Sequence, residues 1–170
     1  NFGTGALNIT AGGPIVGASN RGIYAYNSAA GTNLTISAVD ASGQLFGVDG
    51  RNEGSGTHSV TVSGVVTAEV GAAIRIRTGA SGSTSLTLNS GADVSATSGT
   101  AIDNATGNST VTVNTGASVT GAITLGAGTD SLTFNGGTFT GVTSFDGGTG
   151  TDSLTFSNVT GSVAGGNVVG

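Results

Sequence analysis

The sequence predicts an all-β fold, a parallel β-solenoid of about seven coils with about 21 to 27 residues in each, a repeat length typical of solenoids. Composition is the first reason: 33 of the 170 residues are Gly, 36% are hydrophobic and only 8% are charged. A disordered chain shows low hydrophobicity and high charge, so this chain is expected to fold. The apolar residues are mostly Val, Ile, Leu and Ala with many Thr between them, which favours strands. No apolar stripe has the 3.6-residue period of a helix.

A repeated strand signature is the second reason. A triplet with an apolar residue, a central Thr and another apolar residue recurs once in each coil, with Asn8 replacing Thr in the first copy. The seven triplets begin at Leu7, Leu34, Val60, Leu86, Val111, Leu132 and Leu154. Alternation points the apolar residues inward and the central residue outward. Stacking the coils at about 4.8 Å per step builds parallel sheets.

The remainder of each coil carries two further short apolar stretches, separated by Gly, Ser, Asn and Asp. They are residues 92–97 and 100–104 in the fourth coil, and 117–121 and 122–126 in the fifth. Three short strands and three turns per coil follow from this pattern. Four aromatic residues of the last coils are expected to stack in the core, in keeping with the usual burial of Phe: Phe134, Phe139, Phe145 and Phe156.

The C-terminal part of the chain resembles a known family. The stretches "GAITLGAGTDSLTF" (121–134) and "FDGGTGTDSLTF" (145–156) resemble the late coils of passenger domains in Gram-negative autotransporters, and residues 99–123 fit the same pattern. The resemblance implies a single-stranded, right-handed parallel β-helix at the bacterial cell surface or secreted from it. Residues 1–170 would then be one β-helix domain, a fragment of a longer passenger without its C-terminal membrane barrel.

The resemblance also implies a function. Such passengers act as adhesins, aggregation factors or secreted effectors, so we expect a non-catalytic module for adhesion, host interaction or self-association. Its partner would be a host cell-surface receptor, an acidic glycan or another copy. The alternatives are an inert stalk that displays another domain, a secreted effector that binds a host receptor and, more weakly, a polysaccharide-active enzyme. An ice-binding rod is weaker still, because regular T-x-T arrays are needed and the signature supplies one Thr per coil.

Other chemistry finds little support in the sequence. A net charge of −5 argues against nucleic acid as a partner. No apolar run reaches the length of about 18 residues that suggests a membrane-spanning helix. The single histidine, His58, lies in "GSGTHSV" and is predicted to be a solvated turn residue, so no Ser-His-Asp site is expected. We therefore predict no enzyme activity and no cofactor.

The basic residues predict one candidate binding surface. There is no Lys, and the four Arg and two Tyr residues follow the starts of three successive coils at similar distances, which places them in one sector. Arginine suits carboxylate or sulfate ligands, and Arg and Tyr are common at interface hot spots. The candidate residues are Arg21, Tyr24, Tyr26, Arg51, Arg75 and Arg77. In the alternative interpretation, Asp49, Glu53 and Asp103 neutralise these arginines as surface pairs of little energetic value.

One stretch matches a calcium motif. Residues 147–155, "GGTGTDSLT", fit the nonapeptide of calcium-binding β-rolls, but the neighbouring nonapeptides do not. The one similar stretch, residues 125–133, lies a full coil earlier, whereas tandem nonapeptides would be adjacent. Calcium needs six to eight oxygen ligands, which tandem repeats supply. Asp130 and Asp152 are therefore only weak calcium candidates, and we expect them to be stacked turn residues with no specific metal site.

Overall fold

The computed structural model describes residues 1–79 and 82–159, together with the backbone of residues 167–169. All regular elements in these ranges are strands, and every named strand pairs with its neighbours in parallel. The chain therefore winds as a parallel β-solenoid, which confirms the predicted all-β fold. The right-handedness of the coil stays a prediction.

One long face is a seven-stranded sheet, called here sheet A, whose strands are joined by six turns of the solenoid. In spatial order its strands are β1 (Leu7–Ala11), β4 (Leu34–Ala38), β7 (His58–Val62), β10 (Ser83–Leu88), β12 (Asn108–Asn114), β15 (Ser131–Asn135) and β18 (Ser153–Ser157). Each strand contains one predicted triplet. The strands pair without a register shift from one end of the sheet to the other.

The remaining strands form sheet B and one small sheet. Along its main path sheet B contains β2 (Ile15–Gly17), β5 (Ala41–Gly43), β8 (Val65–Ala68), β11 (Asp93–Asn104), β13 (Ser118–Thr124), β16 (Val142–Asp146) and β19 (Asn167–Val169). Its branch contains β3 (Arg21–Asn27), β6 (Phe46–Asn52) and β9 (Ile74–Thr78), and the small sheet contains β14 (Ala127–Gly128) and β17 (Thr149–Gly150).

The first three coils have three strands each, as predicted. In the fourth coil the second and third strands are fused into β11, which pairs with both β8 and β9. A register shift between Ser95 and Thr100 lies where the second and third strands of the earlier coils are separated by a turn. Strand β13 continues this fused strand in the fifth coil, where the coils become shorter.

The predicted alignment of the second and third coils is wrong by two residues. Leu34 pairs with His58, so Ile36, and not Leu34, lies beside Val60. The coil between them therefore ends earlier than the triplets suggest, and His58 occupies the core position that Leu7 and Leu34 fill in the preceding coils. An even shift leaves every side chain on its predicted face, since alternation in a strand has a period of two.

The core is a stack of aliphatic and aromatic residues between the two sheets. Leu34, Ile36, Leu86 and Leu88 of sheet A are completely buried. Three of the four predicted Phe residues are buried: Phe134, Phe139 and Phe145. Phe156 is 41% exposed, although its ring stacks on Phe134 at 5.6 Å; it lies on β18, which pairs only with β15 among the described strands.

The structure was also searched for membrane-crossing helices. None of the described residues form a helix of the length and apolarity that such a crossing requires.

Candidate binding surface

The structure brings the four arginines and both tyrosines together on the outer face of β3, β6 and β9. Tyr24, Asp49 and Arg75 follow one another across the three strands in one row. A second row, two residues further along, contains Tyr26, Arg51 and Arg77, while Arg21 pairs with Phe46. This surface is called the arginine–aromatic patch; it consists of Arg21, Tyr24, Tyr26, Phe46, Asp49, Arg51, Arg75 and Arg77.

Strand alternation explains why these side chains share a face. Ile23 and Ala25 of β3 are buried, so Tyr24 between them points outward. Ile74 and Ile76 of β9 are buried in the same way, which directs Arg75 out of the core. Regular alternation therefore accounts for the two rows of the patch, whereas Arg21 and Phe46 are in phase with the buried Ile23 and Val48 and belong to the patch from the first positions of β3 and β6.

Asp49 organises the patch. Its carboxylate is completely buried beneath the arginines, although it belongs to the outward-facing set of β6. Arg21 Nε donates to Oδ2 at 2.5 Å, and Arg77 Nη2 donates to Oδ1 at 2.9 Å. Arg75 contacts both oxygens, with Nε 3.1 Å from Oδ1 and Nη2 2.9 Å from Oδ2. One carboxylate thus holds three guanidinium groups in fixed positions.

The charge of Asp49 is maintained by these contacts. Burial raises the pKa of this carboxyl, but the hydrogen bonds and charges of Arg75 and Arg77 together outweigh burial and hold the pKa below its usual value. Asp49 is therefore ionised at neutral pH. Three arginines contact this one carboxylate, and they outnumber the nearby acids Asp49 and Asp103 on a chain whose net charge is −5.

Aromatic rings also hold the guanidinium groups in place. The Arg75 guanidinium carbon lies 3.6 Å from the centre of the Phe46 ring, and that of Arg21 lies 4.7 Å from the centre of the Tyr24 ring. Guanidinium groups stack on such rings by cation–π attraction. Arg51 lies at the rim, where its Nε donates to Glu53 at 2.5 Å and its guanidinium lies 5.7 Å from the Tyr26 ring.

Exposure divides the patch into a fixed centre and an accessible rim. The side chains of Arg21, Arg75 and Arg77 are between 21% and 29% exposed. Tyr24 is 52% exposed, and the Arg51 side chain is 43% exposed. An incoming ligand would therefore meet Tyr24 and Arg51 first, above guanidinium groups that are already in place.

The predicted neutralising acids behave differently from one another. Asp49 is a buried organiser and not a surface partner, so that part of the alternative interpretation is wrong. Glu53 does pair with Arg51 at the surface. Asp103 pairs with Arg75 through the backbone of β11, but its side chain forms no salt bridge to an arginine among the described residues. Burial raises the pKa of Asp103, while the charges of Arg75 and Arg77 oppose that rise.

Sequence reasoning missed the central roles of Asp49 and Phe46. A signal for Asp49 was present in the spacing: "DGR" at 49–51 and "RIR" at 75–77 occupy equivalent places in successive coils. That correspondence places Asp49 directly beside Arg75 in the neighbouring strand. The sequence holds no similar signal for the stacking of Phe46 on Arg75.

The prediction that His58 is a solvated turn residue is wrong. His58 begins β7 and is completely buried, and neither ring nitrogen has a hydrogen-bond partner among the described residues. Burial lowers its pKa to about 4, against smaller opposing effects of the Arg77 backbone, which lies near the ring without hydrogen-bond geometry, and of the Asp49 charge. Ser59 points to the opposite side of the strand, so His58 cannot accept a proton from it.

The two weak calcium candidates, Asp130 and Asp152, are stacked in successive coils. In each, one carboxylate oxygen accepts a hydrogen bond from a backbone N–H. Asp130 Oδ1 accepts a hydrogen bond from the Ser109 N–H at 2.7 Å, and Asp152 Oδ1 accepts one from the Asp130 N–H at 3.0 Å. Burial raises the pKa of Asp130. Within residues 1–79 and 82–159, no group of three or more His, Cys, Asp or Glu side chains is placed to hold a metal ion.

Comparisons with known proteins gave no match: no family model, no curated protein and no solved structure is significantly similar to this chain.

Proposed function

We propose that this chain is a non-catalytic adhesion module of the autotransporter passenger type, displayed at or secreted from a bacterial surface, and that it binds an acidic glycan through the arginine–aromatic patch. The observation that carries this proposal is the set of three guanidinium groups held around the buried Asp49 carboxylate. The passenger type and the location rest on the resemblance of residues 121–170 to late passenger coils.

The energetics of the patch favour a binding role over a stabilising one. Burying a carboxylate is costly, and a buried ion pair is often no more stabilising than packed apolar side chains. What Asp49 does provide is rigidity, because it fixes three long side chains that otherwise sample many rotamers. Fixing them before the ligand arrives lowers the entropic cost of binding. Guanidinium groups suit carboxylate and sulfate ligands, and Tyr24 offers an exposed ring beside them.

The histidine supports a non-catalytic role. General acid–base chemistry requires a group that reaches the substrate, and His58 is enclosed in the core. The acid residues Asp49 and Glu53, which are neighbours in sequence, are both engaged by arginines. The catalytic arrangements considered for β-helical enzymes therefore gain no support at these residues.

The test measures binding of the purified chain to a sulfated glycan such as heparin, in parallel with sedimentation to detect self-association. Tyr24→Ala with Arg51→Gln removes the two accessible side chains and keeps the arginine hydrogen bonds to Asp49, while Arg21 loses its contact with the Tyr24 ring. We expect this double variant to bind at least tenfold more weakly than the parent, with an unchanged melting temperature. Reversing Arg75 and Arg77 is a poorer test, because it also removes two partners of the buried carboxylate.

The control is Glu69→Gln with Asp93→Asn, which alters two exposed charged side chains outside the patch and raises the net charge by two. We expect this control to bind as the parent does, apart from the small gain that its changed net charge brings. If the parent binds neither glycan nor itself, the chain is an inert stalk. Equal binding by the parent and by the Tyr24→Ala/Arg51→Gln variant would reject the patch as the contact surface.

A further inference from the structure

The outward face of sheet A is a two-dimensional array of hydroxyl groups. Two outward positions of each strand form rows that run along the whole solenoid. The first row contains Asn8, Thr35, Ser59, Ser85, Thr110, Ser131 and Ser153. The second row contains Thr10, Ser37, Thr61, Thr87, Thr112, Thr133 and Thr155. These fourteen residues are called the hydroxyl face.

The corrected register changes one step of this array, between β4 and β7. With Leu34 aligned to Val60, Thr35 would lie beside Thr61 and Asn33 beside Ser59. With the observed pairing of Leu34 and His58, Thr35 joins Ser59, and Ser37 takes the place beside Thr61. Each strand carries two hydroxyl-bearing positions, except the first, where Asn8 accompanies Thr10. The expectation of one Thr per coil holds on six of the seven strands, and only β12 carries a T-x-T pair, Thr110 and Thr112; Ser supplies the second hydroxyl on five strands.

The array is neutral and open to solvent. None of its fourteen residues is charged or aromatic, and all are exposed or half-buried. Among the described hydrogen bonds, only one involves a side chain of the array: the Ser153 hydroxyl donates to the Asp130 carbonyl oxygen at 3.4 Å. Further polar, uncharged residues flank the array on β12, β15 and β18: Asn114, Asn135 and Ser157.

The array is also regular in both directions. Neighbouring strands lie about 4.8 Å apart, and alternate residues of a parallel strand lie about 6.6 Å apart. No register shift interrupts the described strands of sheet A, whereas sheet B has shifts at β11 and β13. In the second row, Thr occupies five successive strands from Thr61 to Thr155. Branching at Cβ restricts χ1 of Thr, so its hydroxyl and methyl groups are held in a fixed arrangement.

From these observations we infer that the hydroxyl face binds ice, the ordered lattice of water itself. A lattice of neutral hydroxyl groups complements a neutral lattice of water oxygens, and the spacing of about 4.8 Å between strands is near the shorter oxygen repeat of hexagonal ice. The chemistry disfavours other occupants. An anionic ligand would find no cation among these fourteen residues, and a compact protein partner would find none of the Trp, Tyr or Arg anchors of interface hot spots. This inference is independent of the proposed glycan binding, which uses another face.

The test measures incorporation of the labelled chain into a growing ice crystal, together with inhibition of ice recrystallisation. Thr87→Tyr with Thr112→Tyr places two bulky rings in the middle of the array. The matched control, Thr67→Tyr with Thr120→Tyr, makes the same change at outward positions of sheet B. We expect the parent and the control to enter ice, and the hydroxyl-face variant to need at least a tenfold higher concentration for the same inhibition.

A second pair keeps the test decisive if the Tyr variant fails to fold. Thr61→Lys with Thr133→Lys introduces charge at two outward positions with flexible side chains, and the same loss is expected. Exclusion of the folded parent from ice would overturn the inference, as would equal activity of the parent and both hydroxyl-face variants. If the parent is excluded from ice and forms dimers that these variants disperse, a second copy is the occupant, and the ice inference is likewise overturned.

Discussion

Asp49 and Arg75 form a two-point contact between neighbouring strands, in which Nε and Nη2 of the guanidinium reach one carboxylate oxygen each, at 3.1 and 2.9 Å. The guanidinium carbon of the same side chain lies over the Phe46 ring, 3.6 Å from its centre. Arg75 is thereby held by a charge partner and by an aromatic ring. This arrangement leads to the first prediction, on the residue that holds the centre of the patch.

Asp49→Asn is expected to lower the free energy of unfolding by about 3 to 5 kcal/mol, the usual cost of removing one partner from a buried ion pair. The reason is that Arg21, Arg75 and Arg77 lose the carboxylate that contacts all three. Urea unfolding at neutral pH measures the change. Asp93→Asn is the control, because Asp93 is exposed; its effect should stay within about 0.5 kcal/mol. Equal stability of the two variants would contradict the role given to Asp49.

His58 predicts a dependence of stability on pH. The pKa of this residue is about 4 in the folded chain and 6.5 at its ordinary value, so the unfolded chain binds the proton more readily between these limits. Stability is therefore complete above about pH 6.5 and falls as the pH is lowered towards 4. The loss is on the order of 3 kcal/mol, since each pKa unit corresponds to about 1.4 kcal/mol.

His58→Leu isolates this effect, because Leu already fills the equivalent core position at Leu34. Urea unfolding of both proteins between about pH 7 and pH 4 should show the decline in the parent and not in the variant. The carboxyl groups with shifted pKa values are common to both proteins, so their contribution to the pH dependence is shared: the pKa of Asp49 is lowered, and burial raises the pKa of Asp103 and of Asp130. A decline of the same size in both proteins would show that His58 is not the group responsible.

A steric coupling between Gly50 and His58 follows from the core packing. A Cβ added at Gly50 would clash with His58 Nε2, well inside van der Waals contact with the imidazole ring. Gly50→Ala is expected to cost about 1 to 3 kcal/mol, the usual cost of overpacking a core. In a double-mutant cycle measured by urea unfolding, His58→Ala should relieve part of this cost. Strictly additive effects would mean that the two residues do not compete for the same space.

Calcium is expected to leave the stability of the chain unchanged. Asp130 and Asp152 direct one oxygen each to a backbone N–H of the preceding coil, which leaves too few oxygens for a site that needs six to eight. Melting curves with millimolar calcium and with chelator should coincide, for the parent and for Asp152→Asn alike. A calcium-dependent rise in melting temperature that Asp152→Asn removes would establish a site at these turns.

Local rules were sufficient to predict most of the fold. Alternating apolar residues and Gly-rich turns predicted the strands, and the repeat length predicted the stacking. The register of the second coil could not be predicted in the same way, because shifting Leu34 by two residues preserves every buried position. The competing alignment was favoured by the triplet "LTI", whereas the structure places a histidine beside Leu34. Desolvation of a lone imidazole is unfavourable, so composition alone gave no reason to expect it there.

The candidate surface was predictable in its location but not in its organisation. The distances of Arg21, Arg51, Arg75 and Arg77 from the start of their coils predicted that they lie on one side of the solenoid. The strand pairing places them at neighbouring positions of β3, β6 and β9. Burial of Asp49 depends on the way the long arginine side chains fold over it, and a sequence offset carries no information about side-chain conformation. The hydroxyl face was missed for a different reason, since one of its two residues in each strand lies directly before or after the triplet and not within it.

The most direct test of the central claim maps where a ligand binds. Titration of the labelled chain with a heparin oligosaccharide, followed by NMR of the backbone amides and the arginine Nε–H groups, locates the contact residue by residue. Binding through the arginine–aromatic patch predicts shifts centred on Tyr24, Arg51 and Arg75, with sheet A unaffected. Shifts that centre on another face, or an absence of shifts at saturating ligand, would contradict it.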